Sequence, residues 1–370
     1  MWFIDKLNVQ QEYDFRLPIV GEHGVLRYDL ATGEAISDSP KSLKLEGSYS
    51  SMITIRSNGS KISIQGNPSR FNRTENVFGF TSFDDCVAVY NSILLRLDLP
   101  VLTKATSFDY LQGEDGTRAK LVSDGAMFDH IDFTRNFSVG KGAERAFIKA
   151  LSGHRIGKGQ EPYLYPNGMT VDWYKGSDLH YKKVYCKSCD LIKHQKKRLK
   201  KADDDQFEYY RKLINWCNDL GLLREEHSFK QTFLRRKKLC FYGLTKESDF
   251  SEFLRDVEGV IKRFTVMNTQ YESVSDQLLS NNVVKSQQAA NATQCVYLKW
   301  LHGDDLNLGR SQYYEHRRRL LSLGVDISMP RDITKMPLSI RSNDLIDIKS
   351  VAIPDWYRLP LTAPRLSLVA

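Results

Sequence analysis

Two short runs joined by Asn58-Gly59 constrain the possible folds of this chain more than any other feature. Ser51-Met52-Ile53-Thr54-Ile55-Arg56 alternates, Ser57-Asn58-Gly59-Ser60 is a turn, and Lys61-Ile62-Ser63-Ile64-Gln65 alternates again. Successive side chains of a strand point to opposite faces, so each run offers one isoleucine face to a core. Asn-Gly accepts the left-handed backbone of a tight hairpin at little steric cost. The pattern predicts an antiparallel hairpin, and residues 1 to about 135 read mainly as strands.

The period then changes. Over 83–97, Cys86, Val89, Ile93 and Leu97 fall on one helical stripe. Residues 127–139 read as a strand and 153–176 as loop. A strand over 179–187 leads into a basic helix over 188–201. A second helix covers 203–220, with Gly221 as its stop, and a strand follows over 222–229. A helix is expected over 245–264, with Thr245 or Ser248 as its N-cap. A polar segment over 268–293 then separates the core from a C-terminal part. There a helix ends at 296–301, a turn covers 303–309, and a helix over 311–323 ends at Gly324.

Composition bounds the partners. The 370 residues suggest two to three domains, and 41% hydrophobic with 26% charged residues is enough for real cores. Lys and Arg number 53 against 45 Asp and Glu, a net charge of +8 that fits a polyanion, nucleic acid first. The longest apolar runs, such as Ile93-Leu94-Leu95, fall far short of the roughly 18 residues needed to span a bilayer. Met1-Trp2-Phe3-Ile4-Asp5 lacks the features of a signal peptide. A cytoplasmic location without a membrane partner is expected, where the six cysteines are free thiols. Cys186-x-x-Cys189 has no second close cysteine pair, so it reads as two ordinary small residues rather than zinc ligands.

Several stretches together resemble the replication initiators of filamentous phages, the gene II proteins and more closely the RstA-type initiators. They are Leu45-Glu46-Gly47-Ser48-Tyr49-Ser50, Gly66-Asn67-Pro68-Ser69-Arg70-Phe71, Asn76-Val77-Phe78-Gly79 and His130-Ile131-Asp132-Phe133-Thr134. Val184-Tyr185-Cys186-Lys187, Leu223-Arg224-Glu225-Glu226, Tyr313-Tyr314-Glu315-His316-Arg317-Arg318 and Pro354-Asp355-Trp356-Tyr357 continue the series in family order. The resemblance implies a site-specific nickase for rolling-circle replication, with a tyrosine nucleophile and a divalent metal, Mg2+ or Mn2+. It implies an α+β fold: a mostly antiparallel nuclease core over 1–265, related to HUH-like rolling-circle initiators, and a smaller helical DNA-binding module over 266–370. The related nucleases hold their metal on a His-hydrophobic-His strand; here the second position is Asp132. The implied partners are supercoiled origin DNA, then its displaced single strand, and a host helicase.

Strand cleavage by this route needs an attacking oxygen and a metal that offsets charge on the phosphate. Tyr185 matches the family's Tyr-x-Lys, and Lys187, two residues on, is expected on the same strand face, where it lowers the phenol's pKa or grips the phosphate. Tyr181 is the alternative nucleophile, and a half-buried structural tyrosine is the bland reading of either. By alternation Phe128, His130, Asp132 and Thr134 share one face, and so do Arg224 and Glu226. Asp132 and Glu226 are the expected metal ligands, with His130 a third; taken singly, each carboxylate reads as a solvated group on the surface or on an edge strand. Arg224 is expected to hold a phosphate or orient Glu226.

The span 182–201 contains nine Lys or Arg and one acid, Asp190. Cys189, Ile192 and Leu199 are its expected buried stripe, leaving Lys193, Lys196, Lys197 and Arg198 for DNA phosphates. A second basic cluster is Arg235-Arg236-Lys237-Lys238. The C-terminal helices resemble a helix-turn-helix, with Gln312, Tyr313, His316 and Arg317 toward a groove and Tyr314, Leu320 and Leu321 packed. The competing reading is a DNA-binding protein without chemistry, such as a repressor. An RNA-processing role lacks an aromatic RNA-binding sheet motif.

Overall fold

The computed structural model describes residues 1–21, 23–112, 119–156, 161–255, 274–329 and 348–362. The predicted hairpin is β5 (Met52–Asn58) and β6 (Lys61–Gly66), paired antiparallel through Asn58 and Lys61. Gly59 takes the left-handed turn position, and Ile53, Ile55, Ile62 and Ile64 are fully buried.

The hairpin is one end of a ten-stranded sheet. From the far edge the order is β10 (Tyr163–Leu164), β11 (Thr170–Trp173), β12 (His180–Cys186), β13 (Leu222–Lys230), β9 (Met127–Ser138), β1 (Trp2–Glu12), β6, β5 and β4 (Leu43–Glu46). Every strand pairing within this sheet is antiparallel. Two small hairpins lie off it: β2 (Gly24–Tyr28) with β3 (Ala35–Pro40), and β7 (Phe108–Leu111) with β8 (Lys120–Ser123). With eight α-helices among the described residues, the chain is α+β, as expected.

The sheet has two unlike faces. One is covered by α1 (Phe83–Leu95), whose Ser82 N-cap accepts from Asp84 N–H. Phe83, Tyr90 and Leu94 pack there against Ile4, Leu7, Ile131, Phe133 and Phe229. Farther along that face, α2 (Glu144–Leu151) packs on Val171, Trp173, Val184 and Leu223. The other face carries α3 (Lys187–Arg198) and α4 (Asp204–Leu220), which join Phe3, Phe78 and Leu222 in a third cluster. Asp203 caps α4 and Gly221 ends it in the left-handed region. A Cβ at Gly221 would lie 1.9 Å from the Gly140 carbonyl oxygen, so only glycine lets β13 leave α4 there.

Two bulges reset the pairing of β1 with β9. Between Ile4 and Lys6 the register shifts around Asp5, and between Asn8 and Val9 it shifts around Asp129. Such an extra residue re-aims its neighbours. Phe128 therefore pairs with Val9 and packs beside Phe83 in the apolar core, not on the face of His130 and Asp132 where strict alternation puts it.

The helix expected over 245–264 is a 3-10 turn, Glu247–Phe250, followed by turns; 256–264 lie outside the described residues. Phe250 sits among Phe83, Phe133 and Phe229, which ends the segment in the core. After α5 (Gln231–Lys237), the C-terminal part contributes α6 (Val274–Ser280), α7 (Gln287–His302) and α8 (Arg310–Leu321) around Val296, Leu320, Val325 and Ile327. The expected module over 266–370 is not one block. Segment 348–362 returns to the sheet, where β14 (Lys349–Ser350) pairs with Phe137 and Ser138 of β9, and Tyr357 joins the cluster with Phe78.

Candidate active site

The second face of β12, β13 and β9 gathers the predicted residues in rows. Tyr185 stands opposite Arg224, which stands opposite Asn136. Lys183 stands opposite Glu226, and Glu226 opposite Thr134; Tyr181 stands opposite Ser228, and Ser228 opposite Asp132. Directly paired residues share a face, so Glu226 and Asp132 are diagonal neighbours across two adjacent strands. The Asp5 bulge adds a third carboxylate from β1, which accepts from Asn67 at 2.9 Å and Asn76 at 2.8 Å.

Burial makes this polar patch electrostatically tense. Glu226 is 7% exposed; burial raises its pKa, Lys183 opposes that, and Asp132 and Asp5 push it further up. Lys183 Nζ lies 2.7 Å from Glu226 Oε1, and the Tyr185 hydroxyl is 3.5 Å from Oε2. Asp132 also suffers burial, yet His130, 2.7 Å away, and the Ser228 hydroxyl hold its carboxyl below the ordinary value. Burial pushes the Tyr185 phenol well up, against the pull of Arg224 and Lys183. The Lys183 ammonium is 5.1 Å from its ring centroid and the Lys187 ammonium 5.9 Å.

Lys187 is not on the strand. Cys186 is the N-cap of α3 and Lys187 its first residue, because the chain turns from extended to helical there. Its side chain still enters the patch: Nζ donates to Asn76 Oδ1 and Asp190 Oδ2, each at 3.1 Å. Complete burial, then Arg224, lowers its pKa to about 8. Of the two lysines, Lys183, two residues before Tyr185, is the nearer to its ring. Alternation applied backwards as well as forwards from Tyr185 would have found it; Asp5 gave no sequence signal and Asn76 only its place in a family stretch, since a bulge and a loop deliver them.

Arg224 is fully buried as well. Its Nη2 donates to the carbonyls of Asn76 and Val77, each at 2.6 Å, and Nε to Asn136 Oδ1 at 3.0 Å. Nη1 has no hydrogen-bond partner and lies 3.9 Å from Asp5. Arg224 therefore pins the 76–77 loop to the sheet rather than presenting an open fork. Tyr181 sits on the same face, its hydroxyl 3.5 Å from Asp172.

Among the described residues, no three His, Cys, Asp or Glu side chains stand in a metal-holding cage. The Nε2 of His130 lies 2.7 Å from both Asp132 Oδ1 and Ser228 Oγ, which orients Asp132. Two mutually repelling carboxylates beside the buried, unpartnered Thr134 Oγ1 fit a hard cation that keeps most of its waters.

On α3 the buried residues are Lys187, Ser188, Leu191 and Arg198, and Ile192 is exposed, so Leu191 replaces it in the stripe. Lys193, Lys196 and Lys197 are exposed, whereas Arg198 is turned inward toward Tyr210 at 3.4 Å and Asp190 at 3.6 Å. On α8, Gln312 and Arg318 are exposed. Arg317 closes its fork on buried Asp326 at 2.7 and 2.8 Å, because the turn after α8 brings that carboxylate under it. Tyr314 is exposed rather than packed, while Tyr313 is half-buried and His316 bonds Thr293 of α7 at 3.0 Å. Tyr314, Arg317, Arg318, Leu321 and Ser322 line a shallow cavity of about 380 Å³.

The fold and site define an α+β protein with one face of a large antiparallel sheet given over to a buried tyrosine, carboxylates and cations. The N-terminal family of the phage gene II replication-associated protein matches residues 3–252, and its C-terminal family matches 278–362. The gene II replication-associated protein of Escherichia phage If1 is 32% identical over 316 residues, 84% of this chain and 98% of that protein. The chain belongs to the gene II replication-associated protein family. No helix among the described residues is long and apolar enough to cross a membrane.

Proposed function

We propose that this chain initiates phage DNA replication in the host cytoplasm by nicking and later rejoining one strand of the origin. The observation that carries the reading is the Tyr185–Glu226–Lys183 contact, one row from Asp132, in a member of a replication-protein family. Tyr185 Oη attacks the scissile phosphorus as its proton passes to Glu226 Oε2. The bond from phosphorus to the 3′ oxygen breaks, and Lys187 donates a proton to that oxygen. The phosphotyrosine keeps the bond energy for resealing. Asp132 and Glu226, with His130 orienting Asp132, would hold a magnesium or manganese ion, which would supply positive charge against the phosphate.

Lys193, Lys196 and Lys197 grip backbone phosphates beside the site, and the exposed face of α8, with Gln312 and Arg318, reads the origin. Supercoiled duplex is the first substrate and the displaced strand the second, with a host helicase acting after the nick.

The test is Tyr185→Phe, assayed on supercoiled origin DNA with and without magnesium. The variant keeps fold and origin binding but neither relaxes the DNA nor forms a complex that survives denaturant. In the wild-type protein, peptide mapping places the adduct on Tyr185. An adduct on Tyr181 refutes the assignment and spares the enzyme class; no adduct with tight origin binding leaves a repressor-like protein.

A further inference from the structure

Beyond β12 the same face continues to the sheet edge, and its residues change from charged to aromatic. Lys183 is paired with Asp172 of β11, and Asp172 with Tyr163 of β10. Tyr185 is paired with Thr170, whose carbonyl accepts from the Tyr165 N–H at 3.0 Å. Tyr163 and Tyr165 therefore lie in the rows of Glu226 and Tyr185, about two strand spacings, roughly 10 Å, from the nucleophile.

The two rings meet edge to face with centroids 5.0 Å apart. Tyr163 is 48% exposed. Lys175 reaches over both, its ammonium 4.8 Å from one ring centroid and 4.7 Å from the other. The turn that carries Lys175 is fixed at some conformational cost: Tyr174 takes a left-handed backbone, φ +63°, and its hydroxyl is anchored to the Ile156 carbonyl at 2.6 Å. Asp172, paired with Tyr163, is buried and lies 3.5 Å from the Tyr181 hydroxyl. An exposed Tyr163 ring packed on a half-buried Tyr165, with a cation over both, matches unpaired nucleotides, which offer a π face and a phosphate. A duplex hides its base faces and cannot use the rings.

We propose that Tyr163, Tyr165 and Lys175 form a stacking platform for unpaired DNA of the cleaved strand, next to the scissile phosphate. The location rests on the nicking reading; the binding itself does not. The experiment compares the full-length protein with Tyr163→Ala, Tyr163→Trp and Lys175→Gln by fluorescence anisotropy. The probes are a labelled single-stranded oligodeoxynucleotide of mixed sequence and its duplex.

Tyr163→Ala is expected to weaken single-strand binding by roughly tenfold and leave duplex binding unchanged. Tyr163→Trp restores or tightens it, which a merely structural role would not do. Lys175→Gln weakens it too and flattens its salt dependence. Equal losses on both probes, or an unchanged single-strand affinity in Tyr163→Ala, overturn the platform. Because no cleavage is needed, a wild-type protein without a covalent adduct removes the nicking reading while leaving this result standing.

Discussion

Lys187 shows how one residue's position was half legible. The Tyr-x-Lys spacing brought it to notice, but the strand ends at Cys186 and the lysine reaches Tyr185 from a helix. Burial matters more than spacing here. Its ammonium sits at about 8 instead of 10.5, so the proton is held below that pH and lost above it. In the proposed role of donor to the leaving oxygen, Lys187 is expected to make cleavage fall as pH rises through about 8. Lys187→Arg, which stays charged, moves that decline upward in a pH–rate profile. An alkaline limb unchanged by the substitution takes Lys187 out of the chemistry.

Among elements, α8 separates two arginines that a sequence treats alike. Arg317 holds Asp326, which is fully buried, so Arg317→Ala strands a carboxylate and is expected to cost about 3 kcal/mol of stability. Arg318 is exposed beside Tyr314 and the cavity. Arg318→Ala is expected to lose about 1–3 kcal/mol of discrimination for cognate over unrelated DNA, with stability unchanged. Thermal melts and competition binding on both variants check this; a swap of the two phenotypes reverses the assignment. The i, i+4 pattern found the helix, but only the turn that follows it decides which arginine is occupied.

On the scale of the molecule, segment 348–362 braces the 75–78 loop beside the site. The Tyr357 hydroxyl lies 2.8 Å from Glu75, accepts from Phe78 N–H at 2.8 Å and from Arg73 at 3.0 Å, and is buried. It thereby fixes the loop whose Asn76 holds Asp5 and Lys187. Tyr357→Phe leaves those groups short of one partner and is expected to cost about 1–3 kcal/mol. The urea midpoint should fall with an unchanged m-value, and nicking should fall with it; a midpoint equal to wild type means the brace contributes nothing to stability.

The sequence by itself determined the local elements. The 53–64 hairpin, α1, α4 with its Asp203 cap and Gly221 stop, β9, β12, β13 and α8 follow from side-chain period and capping, which are properties of adjacent residues. It also determined the family, because the motifs stand in family order along the chain. Tertiary structure alone decided which polar residues meet. Strand order placed β12 beside β13 and β13 beside β9, one bulge aimed Asp5 at the patch, and a second turned Phe128 away from it. The return of 348–362 to β9 likewise joins residues almost three hundred positions apart, as in the Tyr357–Glu75 contact. Pairing register and long-range closure depend on which surfaces the whole chain can bury together, and no local window contains that information.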